Sequence, residues 1–282
     1  MSVTWNDGPY PTQVPVGAMG WLRALRRGVP LVLLVLSGLV ILLLVRLVEK
    51  PLYGLRRPLT PWITQSVCRA AFAIIGIPLI MRGKVMPYAG AMVSNHVSWL
   101  DILALNARKR IYFVSKAEVA GWPGIGWLAK ATGTVFIKRE RREASGQVTM
   151  LRDRLVAGQR LLFFPEGTSS DGMRILPFKP TLFASLYEAQ EQAALWVQPV
   201  TLNYFAPDGV DARFYGWWGD MELGPHLLLT LAARKQGRVE VVYHPPLAIA
   251  DYDGRKALAA ACEATIRSGL AETTPIPPQH QP

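Results

Sequence analysis

Two residues in one short segment of the chain could transfer a proton. The segment is NHVSWLD (95–101), in which a histidine precedes an aspartate by five positions. Near neutral pH the His96 imidazole can accept a proton, and the Asp101 carboxylate can hold the ring in one tautomer and stabilise its charged form. The pair therefore indicates a base-catalysed transfer that needs no covalent intermediate on the enzyme.

A second segment with polar side chains is FFPEGT, at positions 163–168. Glu166 follows a proline and precedes a glycine, and Gly167 lets the backbone approach a ligand closely. The Glu166 carboxylate could therefore bind or orient a polar substrate. A buried apolar strand explains residues 161–164 but not the placement of Glu166.

The catalytic pair must come from two different local structures. Residues five apart in a helix are rotated by about 140°, so His96 and Asp101 cannot share a helix face. They can meet if His96 lies in the turn after a strand at 89–94 and Asp101 in the first turn of the next helix. Ser98 is a good N-cap, and with Asp101 it resembles a capping box, so a carboxylate that only binds backbone amides is the alternative. The carboxyl end of a strand, where open α/β sheets bind ligands, favours catalysis.

Composition restricts the partners of the chain. It has 282 residues, a net charge of +11, and half of its residues are hydrophobic. Such a charge attracts polyanions, either an anionic membrane or a nucleic acid. The sequence has a membrane segment but no zinc-finger spacing or RNA-binding aromatic motif, so we expect membrane lipids and no nucleic acid. Cys68 and Cys262 lie far apart in apolar surroundings, which fits a reducing cytosolic face.

The remaining histidines are His226, His244 and His280. None has a neighbouring carboxylate or a metal-ligand spacing, and we interpret the first two as structural or surface residues and the third as part of a tail. The sequence also has no Gly-x-Ser-x-Gly elbow and no Walker loop. We therefore expect no metal and no bound cofactor.

An apolar segment near the N-terminus predicts a membrane anchor. Residues 30–45 are sixteen residues without a charge, and basic residues flank them on both sides: Arg23, Arg26, Arg27, Arg46 and Lys50. As a helix they reach about 24 Å, slightly less than a ~30 Å hydrocarbon core, and the arginines can snorkel. A signal peptide is the competing interpretation, but no small-residue cleavage site follows. A second stretch, Ala70–Met81, is short and indicates an interfacial or re-entrant segment, or a buried core helix. We predict a retained membrane anchor, and the arginines on both sides of it leave its topology open.

From residue 89 onward, short apolar runs alternate with helical patterns. This alternation predicts an α/β fold with a mixed, mostly parallel sheet flanked by helices. The strand candidates are Ala89–Ser94, Ile111–Ser115, Thr134–Ile137, Arg160–Phe164, Leu195–Leu202 and Arg238–Tyr243. The helix candidates are Trp99–Ala107, Gly124–Ala131, Arg142–Ala157, Thr181–Ala193 and Arg255–Leu270.

The chain divides into four parts on this pattern. We predict a flexible N-terminal tail (1–18), a membrane-associating helical region (19–84), a catalytic domain (85–272) and a flexible C-terminal tail (273–282). Within the domain, Asp208–Gly224 is predicted to be a long loop. Pro199 interrupts a strand and is expected at a sheet edge or a bulge.

Four segments between 89 and 202 resemble, in order and spacing, those of the glycerolipid acyltransferase family, which acylates lysophosphatidic acid and related lysolipids. They are NHVSWLD, GTVFIKR (133–139), FFPEGT and VQPV (197–200). The resemblance implies His96 as the general base and Asp101 as its partner, with Pro199 structural near the site. The residues that it implies as contacts for the polar head of the acceptor are Arg139, Glu166, Gly167 and Thr168.

The resemblance implies a membrane-bound O-acyltransferase that moves an acyl group from acyl-CoA or acyl carrier protein to a lysolipid hydroxyl. Because such thioesters are cytosolic, it also implies an anchor at the cytoplasmic membrane with the catalytic domain on the cytosolic face. Lysophosphatidic acid is the first acceptor, with Arg139 as the main partner of its phosphate. Many relatives that use such precursors have an arginine after Glu-Gly-Thr, and here Ser169 stands in that place. Residues 215–221 are similar to bacterial lyso-ornithine-lipid acyltransferases, so lyso-ornithine lipid is the second acceptor. A thioester hydrolase and a non-catalytic membrane-binding protein are the alternatives, and His96 with Asp101 argues against the latter.

Overall fold

The fold was analysed in a computed structural model that describes residues 5, 6, 10, 11, 15–138, 144–190 and 194–271. The strands in this part of the chain are β1 (Leu79–Gly83), β2 (Gly90–Ser94), β3 (Tyr112–Lys116), β4 (Val135–Ile137), β5 (Leu161–Phe163), β6 (Trp196–Phe205), β7 (Arg238–Tyr243) and β8 (Leu247–Ala248). The helices are α1 (Ala18–Tyr53), α2 (Thr60–Ile75), α3 (Leu100–Arg108), α4 (Ile125–Thr132), α5 (Ala144–Val156), α6 (Ala184–Gln190), α7 (Leu223–Ala232) and α8 (Gly254–Ser268).

The strands form one mixed sheet in the order β1-β7-β6-β2-β5-β3-β4, with β8 also paired to β6. The five strands from β6 to β4 are parallel, whereas β7 runs antiparallel to β6 and carries β1 with it. The predicted α/β fold with a mostly parallel sheet, mixed at one edge, is therefore confirmed. All six predicted strands are present within two or three residues of their expected bounds.

The sheet separates two apolar cores because its side chains alternate between faces. In β2, Met92 packs into the core on one face, and Ala91 and Val93 pack into the core on the other. Helices α1, α2, α3 and α7 contribute to the first core, and α5, α6 and α8 contribute to the second. Every residue of β2 is buried, as expected for a parallel strand covered on both faces.

Pro199 does not lie at a sheet edge but opposite a bulge, the other position expected for it: residues 198 and 199 of β6 face three residues, 244–246, between β7 and β8. Strand β6 lies in the interior of the sheet between β2 and β7. The Pro199 carbonyl accepts a hydrogen bond from His244 N at 3.1 Å, and His244 lies in the interval between β7 and β8. The N and C=O of one strand residue point to the same side, so the missing Pro199 N–H faces this interval. The proline therefore costs the sheet no ladder hydrogen bond.

Helices α1 and α2 form an antiparallel pair, and a buried glutamate near the end of α1 binds the start of α2. Glu49 Oε1 accepts hydrogen bonds from Leu59 N at 2.7 Å and Thr60 N at 3.1 Å, and Oε2 accepts one from the Thr60 hydroxyl at 2.7 Å. The carboxylate thus satisfies free N–H groups at the start of α2, where the helix dipole also favours a negative charge. Where the helices cross, a Cβ on Gly38 would lie 2.5 Å from Val67 Cγ2, so this position requires glycine.

The amino-terminal half of α1 packs on α7, which the sequence patterns did not predict. Arg27 Nη1 donates to the carbonyls of Leu231 at 2.8 Å and Ala233 at 2.7 Å, and Arg23 Nε donates to Ala232 O at 2.7 Å. These arginines satisfy the free carbonyls at the end of α7 and complement its dipole. Helix α1 therefore contacts the catalytic domain through α7, and it also contacts α4.

Helix α1 exposes most of its apolar side chains. Among the described residues it is the one helix that is long and apolar enough to cross a membrane. The exposed residues include Val29, Val32, Leu33, Leu36, Val40, Ile41, Leu44, Leu47 and Val48. Such an uninterrupted apolar face is typical of a lipid-contacting surface. The expectation of an apolar N-terminal anchor is supported by this finding.

The second apolar stretch, Ala70–Met81, changes structure in its middle. Its first residues form the end of α2, which stops at Ile75. Gly76 then adopts a left-handed conformation, and the last residues of the stretch form the start of β1. Strand β1 falls within the range 19–84 yet pairs with β7, so the sheet begins before residue 85. The four-part division of the chain stays a prediction, and its C-terminal tail lies outside the described residues.

Candidate functional site

His96 and Asp101 meet as the sequence predicts. Strand β2 ends at Ser94, His96 lies in the turn that follows, and Asp101 lies in the first turn of α3. His96 Nδ1 is 2.7 Å from Asp101 Oδ2. A neutral imidazole that donates from Nδ1 has its lone pair on Nε2, which is the atom that can accept a proton. The geometry therefore provides a base together with the group that orients it.

Asp101 is fully buried, and each of its oxygens has partners. Oδ2 also accepts from Val97 N at 2.8 Å and Ser98 N at 3.1 Å, and Oδ1 accepts from the Tyr204 hydroxyl at 2.6 Å. Asp101 therefore does both things that the sequence allowed. The same oxygen, Oδ2, contacts the His96 imidazole and accepts hydrogen bonds from the backbone amides of the turn. Four hydrogen bonds to the charged form compensate for its desolvation.

The expected Ser98 cap is absent. The residue that precedes α3 is Trp99, and no side chain caps the helix. Within the described part of the chain, the buried Ser98 hydroxyl has no hydrogen-bond partner. Asp101 instead accepts a hydrogen bond from the Ser98 amide. This is one of the two hydrogen bonds of a capping box, and the other, in which the Ser98 hydroxyl would accept, is not made between these two described residues.

Tyr204 is a site residue that the sequence patterns did not reveal. It lies on β6, about a hundred residues from Asp101, and is buried. Burial and the nearby Asp101 charge raise the pKa of Tyr204 well above its usual value, so its hydroxyl stays a donor. From the sequence alone, a tyrosine in an apolar strand is expected to be a core residue. Its hydroxyl lies beside Asp101 because β6 pairs with β2, and the sequence does not reveal that pairing.

The His96 ring lies flat against an aromatic side chain. Its centroid is 4.1 Å from that of Phe164, with an angle of 13° between the planes, and 22% of the His96 side chain is exposed. Phe164 follows β5, the neighbour of β2, so the sheet brings the two motifs together. The stacking and the Asp101 hydrogen bond fix both the plane and the rotation of the imidazole.

Glu166 lies next to His96, but its carboxylate binds the backbone. Oε1 accepts from His96 N at 2.7 Å and Oε2 accepts from Leu176 N at 2.8 Å, and the residue is buried. Burial raises the pKa of Glu166 to about 8, although the two backbone hydrogen bonds favour the charged form. The structure thus gives Glu166 the task of holding the catalytic turn. Its contact with an acceptor head group stays a prediction.

The other predicted contacts have different outcomes. Gly167 has φ +74°, a conformation that glycine adopts readily, and its N donates to Phe164 O at 3.0 Å. Thr168 Oγ1 lies 3.5 Å from Trp5 N. Arg139 lies outside the described residues. The roles of Gly167, Thr168 and Arg139 in binding an acceptor stay predictions.

Further hydrogen bonds attach the catalytic turn to the rest of the domain. Asn95 Nδ2 donates to Leu202 O at 3.0 Å, and Asn95 Oδ1 accepts from Leu202 N at 2.8 Å, so the asparagine pairs with β6 like a backbone unit. Trp217 N donates to Val97 O at 2.8 Å. Trp217 belongs to the predicted loop 208–224, and the structure has no helix or strand there up to Glu222. Through the Trp217 hydrogen bond this loop supports the catalytic turn directly.

His226 and His244 are structural, as the sequence indicates. His226 Nδ1 accepts from Trp99 Nε1 at 3.0 Å, and its Nε2 is 3.2 Å from Phe214 O. Burial lowers the pKa of His226 to about 4, which keeps the ring neutral near neutral pH. His244 Nε2 is 2.8 Å from the Thr201 hydroxyl. The described residues contain no cluster of side chains that could hold a metal ion.

Comparisons with known proteins agree with this site. A family model described as Acyltransferase matches residues 88–203. The lyso-ornithine lipid O-acyltransferase of Rhodobacter capsulatus is 53% identical over 95% of this chain and 96% of that protein. The 1-acyl-sn-glycerol-3-phosphate acyltransferase of Neisseria gonorrhoeae is 32% identical over 72% of this chain and 77% of that protein. The chain belongs to the acyltransferase family, and it is an enzyme of that class.

A solved structure shares the fold. The crystal structure of the 1-acyl-sn-glycerophosphate acyltransferase PlsC from Thermotoga maritima has a TM-score of 0.55 and 19% identity, covering 86% of this chain and 96% of that chain. At this identity the likeness concerns the fold alone. Because that chain is covered almost completely, the helices and the mixed sheet described above belong to one shared architecture.

Proposed function

We propose that this acyltransferase moves an acyl group from a thioester to the hydroxyl of a lysolipid, with lyso-ornithine lipid as the acceptor. The observation that carries the proposal is the 2.7 Å hydrogen bond between His96 Nδ1 and the buried Asp101, at the carboxyl end of β2. A base with its orienting partner at the end of a parallel strand is what a hydroxyl acceptor requires, since an alcohol is a weak nucleophile until its proton is removed.

The reaction follows from this geometry. The acceptor oxygen attacks the thioester carbonyl while His96 Nε2 takes the hydroxyl proton. The C–S bond then breaks, and the imidazolium returns the proton to the leaving thiolate, so that an ester and a free thiol are formed. Asp101 stabilises the imidazolium in between. A positioned base supplies about 10²–10⁴-fold, and orientation of the two substrates supplies more. The mechanism uses no metal or cofactor, and the donor is acyl-CoA or acyl carrier protein.

The choice of acceptor rests on the relatives. The relative at 53% identity is named for lyso-ornithine lipid and matches nearly the whole chain, whereas the relative named for 1-acylglycerol 3-phosphate has 32% identity. Ser169, where an arginine would suit a phosphate, favours the same order. Lysophosphatidic acid, which would give phosphatidic acid, is the second candidate.

The apolar face of α1 supports a membrane location for this reaction. Arg23 and Arg27 attach one end of α1 to α7, and Glu49 attaches the other end to the start of α2. Helix α1 also contacts α4, and Arg57, just beyond the end of α1, donates to Ala131 O in α4. A helix whose two ends contact the same domain cannot place that domain on one side while crossing the bilayer. We therefore infer that α1 lies in one leaflet, and that the catalytic domain faces the cytosol, where thioester donors are made.

Product analysis tests the proposal. The purified protein in phospholipid vesicles is given acyl-CoA or acyl carrier protein with lyso-ornithine lipid, with lysophosphatidic acid, or with no acceptor, and the lipids are identified by mass spectrometry. We expect ornithine lipid as the main product. Thiol release without an acceptor at the same rate would instead indicate a thioester hydrolase, and phosphatidic acid as the sole product would select the second candidate.

A further inference from the structure

Arg174 lies on a loop that is fixed to the catalytic turn at both ends. Ser170 N donates to the His96 carbonyl at 2.9 Å, and Leu176 N donates to Glu166, whose other oxygen binds His96 N. Between these points, the Ser170 hydroxyl donates to Arg174 O at 3.3 Å. The backbone at Arg174 is therefore positioned relative to the base through a short series of hydrogen bonds.

The Arg174 side chain is held on one side and open on the other. Its Nη2 is 3.2 Å from Asp171 Oδ2, and the Asp171 side chain is 4% exposed whereas that of Arg174 is 53% exposed. Asp171 Oδ1 accepts from Met173 N at 3.0 Å, so the carboxylate cannot turn away. A guanidinium has five N–H donors, and one bond to Asp171 leaves the others for a ligand.

A residue from the far N-terminus covers this guanidinium. Arg174 Cζ is 5.4 Å from the ring centroid of Trp5, within cation–π distance. The Trp5 ring packs on Trp218 at 6.1 Å, and Trp5 N reaches Thr168 Oγ1 at 3.5 Å. Tyr10 also packs on Trp218, at 5.7 Å. Trp5 thus connects Arg174 with the Glu-Gly-Thr segment and limits the directions in which the guanidinium can point.

We propose that Arg174, oriented by Asp171 and Trp5, binds the anionic group of the acceptor's head and selects among acceptors. The inference rests on the proposed function. The anionic group is the free carboxylate in lyso-ornithine lipid and the phosphate in lysophosphatidic acid, and a guanidinium can bind either with two parallel hydrogen bonds. The Asp171 charge next to Arg174 reduces the positive potential at this place, which favours the singly charged carboxylate over a phosphate.

The test compares Arg174→Gln and Arg174→Lys with a matched control. The control is Arg82→Gln, since Arg82 is 61% exposed and pairs with the nearly buried Glu240 at 2.9 Å on the β1 edge. For each protein, KM and kcat are measured with lyso-ornithine lipid, with its carboxyl methyl ester, with lysophosphatidic acid and, separately, as a function of the acyl donor. Thermal unfolding of each variant shows whether it is folded.

Arg174→Gln is expected to raise the KM for lyso-ornithine lipid about tenfold, the low end for a lost charge-assisted hydrogen bond because the residue is half exposed. The KM for the donor, the KM for the methyl ester and all constants of Arg82→Gln should stay within about twofold, and Arg174→Lys should recover part of the loss. If the Gln variant does not fold, the two substrates are compared with the wild-type enzyme instead. Its KM for the methyl ester should then be about tenfold higher than its KM for lyso-ornithine lipid, because the ester lacks the carboxylate.

Two results would overturn the inference while leaving the proposed function intact. One is an unchanged KM for lyso-ornithine lipid in a folded Arg174→Gln variant. The other is wild-type enzyme that uses the methyl ester as well as the free acid. A larger loss with lysophosphatidic acid than with lyso-ornithine lipid would assign Arg174 to the phosphate instead. Failure of the wild-type enzyme to acylate either lysolipid would instead refute the proposed function.

Discussion

The Tyr204 hydroxyl donates to Asp101 Oδ1 at 2.6 Å, from the strand next to the one that carries the catalytic turn. The other oxygen of Asp101 contacts His96 Nδ1 and two backbone amides. The aspartate is therefore held from β6 on one side and from its own turn on the other. This arrangement makes Tyr204 a positioning residue for the base, because it fixes the carboxylate that fixes the imidazole.

Removal of the Tyr204 hydroxyl should weaken both the fold and the base. In Tyr204→Phe the buried Asp101 Oδ1 loses its donor, which should lower the free energy of unfolding by about 1–3 kcal/mol. We expect kcat to fall roughly threefold to tenfold, since about 1 kcal/mol of orientation is lost, with little change in either KM. Chemical denaturation and steady-state kinetics measure the two effects. Tyr187→Phe is the control, because among the described residues the hydrogen-bond partner of that hydroxyl is the Tyr252 carbonyl, at 3.3 Å. Equal results for the two variants would refute the role of Tyr204.

Asp101→Asn should lower kcat far more than it changes KM. The amide has one acceptor oxygen where the carboxylate has two, so it cannot serve Tyr204, the turn and the imidazole together. It also removes the negative charge that stabilises the imidazolium, and we expect a loss of about 10²-fold or more in kcat. Steady-state kinetics over a range of lysolipid concentrations measures this. A variant with wild-type kcat and a raised KM would assign Asp101 to binding instead.

The residues with local signals were predicted well, and those that depend on the tertiary fold were not. The strand, turn and helix around His96 follow from apolar runs and turn residues, so their meeting with Asp101 could be expected. Tyr204 carries no such signal, because its role depends on which strand lies beside β2. Pro199 was expected at an edge or a bulge because a strand proline lacks an N–H, and only the pairing of the sheet shows that it lies in the interior of the sheet, opposite the bulge between β7 and β8.

The same limit applies to charged residues that the fold buries. Glu166 was expected to face the substrate, since its motif indicates a polar site, but its oxygens bind the amides of His96 and Leu176. Arg27 was interpreted as a basic flank of the apolar segment, whereas it caps α7, a helix that the sequence did not predict. In each case the partner is a backbone group distant in sequence, which a periodicity argument cannot locate.

The stability of the protein should depend on pH through Glu166. Burial raises the pKa of this group to about 8 from a usual 4.5. Between those values the folded protein holds a proton that the unfolded chain has released, so this contribution to stability is lost as pH rises from about 5 to about 8. In Glu166→Gln there is no proton to release. The melting temperature of the wild type minus that of the variant should therefore decrease over this range, and a constant difference would contradict the buried, proton-binding Glu166.

Charges on the exposed face of α1 should release the protein from membranes without unfolding it. Leu36, Val40 and Leu44 lie on one face of the helix and are more than half exposed, so lysine at these positions removes little packing. Each substitution should cost about 1.5–3 kcal/mol of transfer into lipid. Sedimentation with vesicles measures the bound fraction, and Val156→Lys, at an exposed position on α5, is the control. Deletion of α1 is a poorer test, because Leu31 and Ala24 pack in the core. Unchanged sedimentation of the triple variant would place the membrane contact elsewhere.

The most direct test of the account is the turnover of His96→Ala with lyso-ornithine lipid and an acyl thioester, measured by mass spectrometry of the product. His280→Ala is the control, and thermal unfolding and vesicle binding check that the fold and the membrane contact are intact. A general base contributes at least about 10²-fold, so the account predicts a loss of that size or more in kcat for His96→Ala alone. A folded His96→Ala enzyme that retains more than about a tenth of the wild-type turnover would contradict it.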